Sequence, residues 1–283
     1  MLGQYLITFR EGFEAALICS ILLAYLFRTK RARLSRYVYY GVAISLAAST
    51  LLGGAILAIY GSISESSQVL FEGIAALIAV AVITWMIYWM AAKGRTIKQD
   101  MEKEVEKITT AYGLTAFTVI AVFREGLETV LFLTPFLVSN PGATLAGMLL
   151  GLLSALIFSY IIFISGMKIN IKTFFYYTSI LLILLAAGLL GYGAHELLEY
   201  GELKGIETAW LGETAYDLHI PSDSIWHHKG IAGSILAVMF GYTAKAEWLR
   251  VILHLGYLLI VLPIIIWVYR KDARKEIKKS ERK

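Results

Sequence analysis

Long apolar stretches constrain the fold of this chain more than any other feature of its sequence. Seven of them follow one another, with short charged segments between, and each has the roughly 20 residues that a helix needs to cross about 30 Å of hydrocarbon. Hydrophobic residues make up 58% of the 283 residues, whereas a soluble domain of this size needs a largely polar surface. We therefore predict an all-α, polytopic membrane protein with seven transmembrane helices at about 4–27, 37–60, 68–92, 112–138, 143–165, 174–199 and 248–269.

Basic residues lie in alternate connections between these helices. Five lie at 28–36, five at 93–107 and eight after position 269, whereas the connections 61–68 and 139–144 have none. Because cytoplasmic loops carry the excess of Lys and Arg, we expect the amino terminus outside and the carboxyl terminus in the cytoplasm. The net charge of +5 then reflects membrane topology, and no nucleic-acid partner is expected.

Three further segments carry smaller predictions. The single cysteine, Cys19, excludes an internal disulfide and a thiolate metal cluster. Mixed charges at helical spacing over 97–110 predict a solvated cytoplasmic continuation of a neighbouring helix. The only long connection, 200–247, contains an apolar segment at 230–241 that is too short to span a bilayer and is expected to be interfacial or re-entrant.

Two nine-residue segments repeat each other. FREGFEAAL at 9–17 returns as FREGLETVL at 123–131, with six of nine positions identical and an offset of 114. The copies lie on the first and fourth predicted helices, which are three helices apart. The second copy therefore enters the membrane from the opposite side. This pattern is typical of an inverted repeat, whose substrate sites form near the middle of the bilayer. We predict one membrane domain over 1–283, an inverted 3+3 repeat plus a seventh helix, divided into repeat one (about 1–92), repeat two (about 112–199), outer loop 200–247, seventh helix 248–269 and cytoplasmic basic tail 270–283.

Each copy places two carboxylates three residues apart inside an apolar helix. Glu11 and Glu14 share one helix face in the first copy, and Glu125 and Glu128 share one in the second. Ionisable groups within the hydrocarbon region are costly and usually face the bundle interior or a water-filled path. Two antiparallel helices can therefore bring four carboxylates into a cage of oxygen ligands, which suits a hard, highly charged cation.

The same motif contributes two arginines and two glycines. Arg10 and Arg124 each lie four residues before the second glutamate of their copy, and the six ionised groups carry a net charge of −2. We expect the arginines to keep the carboxylates ionised and oriented, and Gly12 and Gly126 to permit close helix approach. The alternative, in which these charges only form salt bridges between helices, does not explain two copies of one five-residue pattern.

The motifs REGFE at 10–14 and REGLE at 124–128 resemble the paired Arg-Glu-Gly-x-Glu motifs of the high-affinity iron permease family, also called oxidase-dependent iron transporters. Flanking segments at 71–90, 121–133 and 241–251 resemble the family as well, so the likeness covers essentially the whole chain. The resemblance implies a permease with iron as its transported substrate, no tightly bound cofactor, and a separate iron oxidase or extracytoplasmic iron-delivery protein as partner. It implies metal binding by Glu11, Glu14, Glu125 and Glu128, with Arg10 and Arg124 as motif partners.

Further polar residues lie towards the predicted outer side. Glu72 is near the outer end of the third predicted helix, and His195, Glu196 and Glu199 end the sixth. These four residues form a candidate vestibule or auxiliary site, with an ordinary polar helix end as the alternative for the sixth helix. His254, on the seventh helix, is expected to bond a neighbouring helix. The outer loop offers a candidate set for metal capture: His219, Asp223, His227 and His228.

Two other functions compete with iron uptake. A permease for lead or another divalent cation is the alternative in the same class, because one branch of the family is associated with lead uptake. A membrane-embedded metal-dependent enzyme is more remote, because such a site needs an open coordination position and a nearby base. The pair His227-His228 lacks the i, i+4 spacing that such sites favour. We therefore expect a transporter without enzymatic activity, and ferric iron as the form that a carboxylate cage prefers.

Overall fold

The computed structural model describes residues 1–93, 97–108, 110–165, 171–206, 209–221, 224–226, 233, 236–237 and 241–280. A helix covers each of the predicted ranges, and the all-α prediction is confirmed. The last helix continues beyond its predicted end into the basic tail. The helices are α1 (Leu2–Arg28), α2 (Ser35–Tyr60), α3 (Glu65–Lys93), α4 (Ile97–Lys107), α5 (Ala111–Ser139), α6 (Pro141–Ser165), α7 (Ile171–Leu203) and α8 (Trp248–Ser280).

Five helical segments within the described residues are long and apolar enough to cross a membrane. The helices α1 and α5 are not among them, although they have 27 and 29 residues. Each carries the three charges of one motif copy, and one charge at the centre of a span costs about 2.5–3.5 kcal/mol. Their placement therefore depends on what those charges face. The five segments are Ala32–Tyr60, Glu65–Ala92, Pro141–Ile162, Thr173–Leu203 and Trp248–Lys271.

The helices form two compact units. Unit 1 (Gly3–Ser62 and Arg95–Asn170) contains α1, α2, α4, α5 and α6, and unit 2 (Ile63–Gly94 and Ile171–Lys283) contains α3, α7 and α8. Each predicted repeat therefore contributes helices to both units. The repeat boundaries and the single membrane domain stay predictions.

Close packing between α2 and α5 fixes one motif helix within unit 1. A Cβ added to Gly41 would lie 2.6 Å from the Cβ of Thr118, so the two backbones approach as closely as small residues allow. The Ser45 hydroxyl donates to the Val119 carbonyl oxygen at 3.1 Å, which joins the two helices. An apolar cluster of buried side chains fills one end of the unit: Ile18, Leu22, Leu26, Val38, Val105, Leu114 and Val122.

The helix α4 corrects one prediction. The helix α4 ends before α5 begins, because Ile108 is not helical, so α4 and α5 are separate helices. The junction between α3 and α4, at 94–96, lies outside the described residues. The helix α4 is also not wholly solvated, because Val105 is 1% exposed and Met101 and Ile108 pack against the apolar cluster. Two basic residues attach it to the end of α1. Arg28 pairs with Glu102 at 3.3 Å, and Arg31 donates to the Ile108 carbonyl oxygen at 2.8 Å.

Small residues also bring α3 and α7 together in unit 2. A Cβ on Gly193 would lie 3.1 Å from the Cβ of Ala76. The hydroxyls of Thr84 and Tyr257 are 2.7 Å apart and join α3 to α8. The long loop between α7 and α8 holds a two-stranded antiparallel ribbon, β1 (Thr214–Asp217) and β2 (Lys245–Glu247), which was not predicted. Because β2 leads directly into α8, the ribbon fixes the position of Glu247 beside that helix.

Candidate functional site

Helices α1 and α5 bring three of the four motif glutamates together in unit 1. One carboxylate oxygen from each of Glu11, Glu14 and Glu125 lies within 4.8 Å of the others. These residues are only 1%, 6% and 3% exposed. The helical spacing of three residues within each motif therefore produces the convergence that the sequence predicted for these three carboxylates. The fourth, Glu128, pairs with Arg124 on its own helix.

The two arginines of the repeated motif have different surroundings. Arg10 is 2% exposed and pairs with Glu11 at 2.5 Å and with Glu14 at 2.6 Å. Arg124 is 45% exposed, and its Nε lies 3.4 Å from Glu125 and 3.1 Å from Glu128. The sequence predicted equivalent partners, whereas the structure gives one deeply buried guanidinium and one that is open.

Several carboxylate oxygens in this cluster are buried without a hydrogen bond. Among the residues that the structure describes, no donor bonds the Oε2 atoms of Glu11, Glu125 or Glu128. A buried polar atom that lacks a partner costs about 1–3 kcal/mol, and more when it is charged. Oxygen atoms in this condition are suited to bind a cation, because coordination replaces the lost hydration.

The motif glycines let neighbouring helices approach the carboxylates. A Cβ on Gly12 would lie 3.2 Å from the Cβ of Ala155 on α6. A Cβ on Gly126 would overlap the Oγ of Ser49 on α2 and lie 3.0 Å from its Cβ. Each motif helix therefore packs its glycine against a different helix of unit 1.

Two polar residues near the start of α1 were missed by the sequence analysis. Gln4 and Thr8 are 6% and 4% exposed, and the Thr8 hydroxyl donates to the Gln4 carbonyl oxygen at 2.9 Å. Within the described part of the chain the side-chain Oε1 of Gln4 has no hydrogen-bond partner. Both residues precede Glu11 at helical spacing, so one polar face on α1 was the available signal.

Unit 2 holds a second group of potential metal ligands. One ligand atom from each of His195, Glu196 and Glu199 lies within 4.8 Å of the others. The Nε2 of His195 is 3.9 Å from Oε2 of Glu199. Glu72 is linked to the same helix, because the Tyr192 hydroxyl donates to its carboxylate. The four residues predicted as a vestibule therefore lie on the adjacent helices α3 and α7.

Glu247 joins this group and was also missed. Its Oε1 lies 3.2 Å from Nδ1 of His195, and the hydrogen bond from that imidazole holds the pKa of Glu247 below its usual range. Glu247 is the last residue of β2, lies opposite Thr214 of β1, and directly precedes α8. No motif in the sequence connects it to His195.

The remaining histidine predictions have mixed outcomes. His219 is exposed in the outer loop and is held by its own neighbour, because its backbone N–H donates to Asp217 at 2.8 Å. Asp223, His227 and His228 lie outside the described residues, as does most of 230–241. The Nδ1 of His254 is buried and has no hydrogen-bond partner among the described residues. The expected bond to a neighbouring helix is therefore not seen at that atom.

Comparison with known proteins identifies the family. The sequence profile of the Iron permease FTR1 family matches residues 1–267. An uncharacterized protein from Archaeoglobus fulgidus is 44% identical over 98% of this chain and 99% of its own length. Two proteins named Ferrous iron permease EfeU are similar over nearly their full lengths. The one from Escherichia coli O6:H1 is 31% identical over 96% of this chain and 98% of its own, and the one from Yersinia pestis is 30% identical over 98% and 97%.

No solved structure matches the chain. The permease relatives and the apolar helices together confirm a multi-pass membrane protein of the transporter class. The family resemblance carried by the repeated motifs is confirmed as well. This chain belongs to the Iron permease FTR1 family.

Proposed function

We propose that this chain takes up iron across the cell membrane, and that Glu11, Glu14, Glu125 and Glu128 bind the iron during passage. Membership of an iron permease family supports iron as the substrate, as do the relatives named ferrous iron permease. The observation that carries the site is the convergence of three buried carboxylates from two helices within 4.8 Å.

The charge balance of the cluster favours a cation over a permanent salt-bridge network. Four glutamates and two arginines carry a net charge of −2 when all are ionised, and Arg124 is 45% exposed. The arginines therefore leave negative charge in a buried place, together with oxygens that no described donor bonds. Carboxylate oxygens are hard ligands that suit a hard cation. In this proposal Arg10 orients Glu11 and Glu14 and limits the cost of the empty site.

The proposed membrane arrangement adds α1 and α5 to the five apolar segments, which gives seven spans with an inverted repeat. The packing of the motif glycines supports it. Gly12 of α1 contacts α6, and Gly126 of α5 contacts α2. The repeat relates α1 to α5 and α2 to α6, so these two contacts are equivalent under it. We place the amino terminus outside and the carboxyl terminus in the cytoplasm, following the distribution of basic residues.

The proposal is tested first at the glutamates. We expect Glu14→Gln and Glu128→Gln to abolish uptake of radiolabelled iron in cells that lack their own high-affinity system, because each keeps its volume but loses a ligand charge. Glu65→Gln, at an exposed position at the start of α3, is the matched control and should transport normally. Membrane abundance should stay near normal in all three. Normal uptake by both motif variants would show that these carboxylates are not ligands.

The redox form of the iron is a separate part of the proposal. An all-carboxylate cage favours the smaller and more highly charged ferric ion, whereas the relatives are named for ferrous iron. A separate oxidase outside the membrane, which passes one electron from each ferrous ion to dioxygen, would reconcile the two. In liposomes that contain this chain, adding such an oxidase and oxygen should then raise uptake from ferrous iron several-fold. Equal transport under anaerobic, reducing conditions without oxidase would reject the ferric form and leave the carboxylate site intact.

Competition between metals decides between iron and the alternative cargo. Excess lead or another divalent cation should reduce iron uptake only weakly if iron is the preferred substrate. Accumulation of lead in preference to iron would favour the alternative permease function.

A further inference from the structure

We propose that unit 2 carries a second cation site, separate from the motif glutamates, that binds a divalent metal through His195, Glu196 and Glu199. Their ligand atoms lie within 4.8 Å of one another. Glu196 is 9% exposed, so at least one of the carboxylates is buried. The site goes beyond iron passage through unit 1, because it uses none of the motif residues.

Glu247 orients the imidazole for coordination. Its Oε1 lies 3.2 Å from Nδ1 of His195, which favours the tautomer with the proton on Nδ1. The lone pair is then on Nε2, the atom that lies towards Glu199. A carboxylate that holds the far nitrogen of a metal-binding histidine is a common arrangement around protein metals, because it fixes the ring and raises its basicity.

The spacing of the two facing atoms fits two ligands of one ion better than a direct contact. His195 Nε2 and Glu199 Oε2 are 3.9 Å apart, which is too long for a hydrogen bond. Two ligands that each lie about 2.1 Å from one ion are roughly 3.0–4.2 Å apart. A direct ion pair between His195 and Glu199 favours a shorter separation, whereas the observed 3.9 Å is the distance expected for two ligands of one ion.

The local charge also favours a cation. Glu72, Glu196, Glu199 and Glu247 supply four carboxylates to the group. Arg250 interacts electrostatically with Glu196 and Glu247. The Oε2 of Glu247 is buried and, in the described part of the chain, has no hydrogen bond. A bound cation would neutralise the negative charge of these carboxylates that Arg250 does not balance.

The ligand set specifies a different class of metal from that of unit 1. An imidazole with carboxylates suits divalent transition metals such as ferrous iron, manganese and cobalt, whereas carboxylates alone suit harder ions. The group lies at the end of α7 that adjoins the long loop, which the basic-residue pattern predicts to be outside. We therefore infer a site that holds a divalent cation on the outer side.

Manganese is a suitable probe, because pulsed electron paramagnetic resonance detects nitrogen bound to it. The full chain in lipid nanodiscs, loaded with one equivalent of Mn²⁺, should show the nitrogen modulation of a coordinated imidazole. His195→Gln should abolish this modulation, and Glu199→Gln should weaken Mn²⁺ binding at least 10-fold. Glu247→Gln should weaken it by roughly 10- to 100-fold. Glu202→Gln, an exposed glutamate near the end of the same helix, is the control and should change neither reading.

The two sites can be separated in the same measurement. Glu14→Gln and Glu128→Gln should leave the nitrogen modulation unchanged, because the motif site has no imidazole, even if they stop iron uptake. Glu199 is 49% exposed, so Glu199→Gln should fold normally. If His195→Gln does not fold, the Mn²⁺ affinity of Glu199→Gln still decides the test. The proposal would be overturned if the unaltered chain showed no nitrogen modulation. It would also be overturned if the modulation persisted in His195→Gln and the Mn²⁺ affinity were unchanged in Glu199→Gln.

Discussion

Replacement of the two motif arginines one at a time tests how the repeated motif is used. The motif copies have the same Arg-Glu-Gly-x-Glu pattern, so sequence alone predicts equal effects for Arg10→Gln and Arg124→Gln. The structure predicts unequal effects. Arg10 is 2% exposed and pairs with two carboxylates that are 1% and 7% exposed at their side chains. Arg124 is 45% exposed and its contacts are longer.

The expected magnitudes follow from this difference in burial. Loss of one member of a buried ion pair costs about 3–5 kcal/mol, because the remaining charge is buried alone. Arg10→Gln leaves Glu11 and Glu14 in that condition. The Arg124 side chain is 45% exposed, although its partners Glu125 and Glu128 are only 4% and 12% exposed. Because water reaches this guanidinium and its contacts are longer, Arg124→Gln should cost less than Arg10→Gln. With a shift of roughly 2–4 °C per kcal/mol, the melting temperature should fall by about 6–20 °C in the first variant and by less in the second.

The single thiol of the chain provides the assay. Cys19 lies on α1 and packs against the apolar cluster, so its reaction with a fluorogenic maleimide during heating reports unfolding near the site. The double variant Arg10→Gln with Glu11→Gln removes one of the carboxylates left without its partner and should recover part of the lost stability. Equal melting temperatures for the two arginine variants would refute the argument that burial makes the motif copies unequal.

Two other measurements test packing and topology. Gly126→Ala should lower the free energy of unfolding by about 1–3 kcal/mol, because its Cβ would overlap the Ser49 hydroxyl. Adding Ser49→Gly to that variant should restore the stability. Gly54→Ala is the control and should be neutral, because nothing lies within 4 Å of its Cβ. A cysteine at Ser66, in a chain whose native cysteine is replaced by serine, should react with an impermeant thiol reagent added outside the cell, whereas one at Ser35 should not. Destabilisation that Ser49→Gly does not relieve, or the reverse labelling pattern, would contradict the respective prediction.

The convergence of Glu11, Glu14 and Glu125 was predictable because the spacing within each motif is a local property of the sequence. Two glutamates three residues apart on a helix share a face whatever surrounds them, and the repeat identified the two helices. The unequal arginines were not predictable, because their exposure depends on neighbouring helices rather than on the motif. Glu247 was missed for the same reason. It reaches His195 through strand pairing within a long loop, where no repeat or helical spacing indicates a partner.

The long apolar helices were predictable from the length of their apolar stretches. The packing of the amphipathic helix α4 was less predictable. Helices cover all seven predicted ranges, because a continuous apolar run has few other structures in a bilayer. The charges of α4 predict a solvated helix, whereas its apolar residues decide its packing. Met101, Val105 and Ile108 recur at spacings of four and three, which is the pattern of a helix with one buried face. That face packs against the apolar cluster of unit 1.

The same cluster sets a condition on the proposed transport of iron through unit 1. It occupies the later half of α1, beyond Glu14, where Leu22 and Leu26 are fully buried and pack in one cluster with Val105 of α4. A cation cannot cross packed apolar side chains, because they replace none of its hydration. Iron held at the glutamates could leave along this half of α1 only if the cluster opened. The contacts that attach α4 to the end of α1, from Arg28 to Glu102 and from Arg31 to Ile108, would then have to loosen. Arg28 and Glu102 are 64% and 26% exposed, so their ion pair contributes little. The burial of Val105, with Met101 and Ile108 packed against the cluster, is therefore the larger contact that such an opening would break.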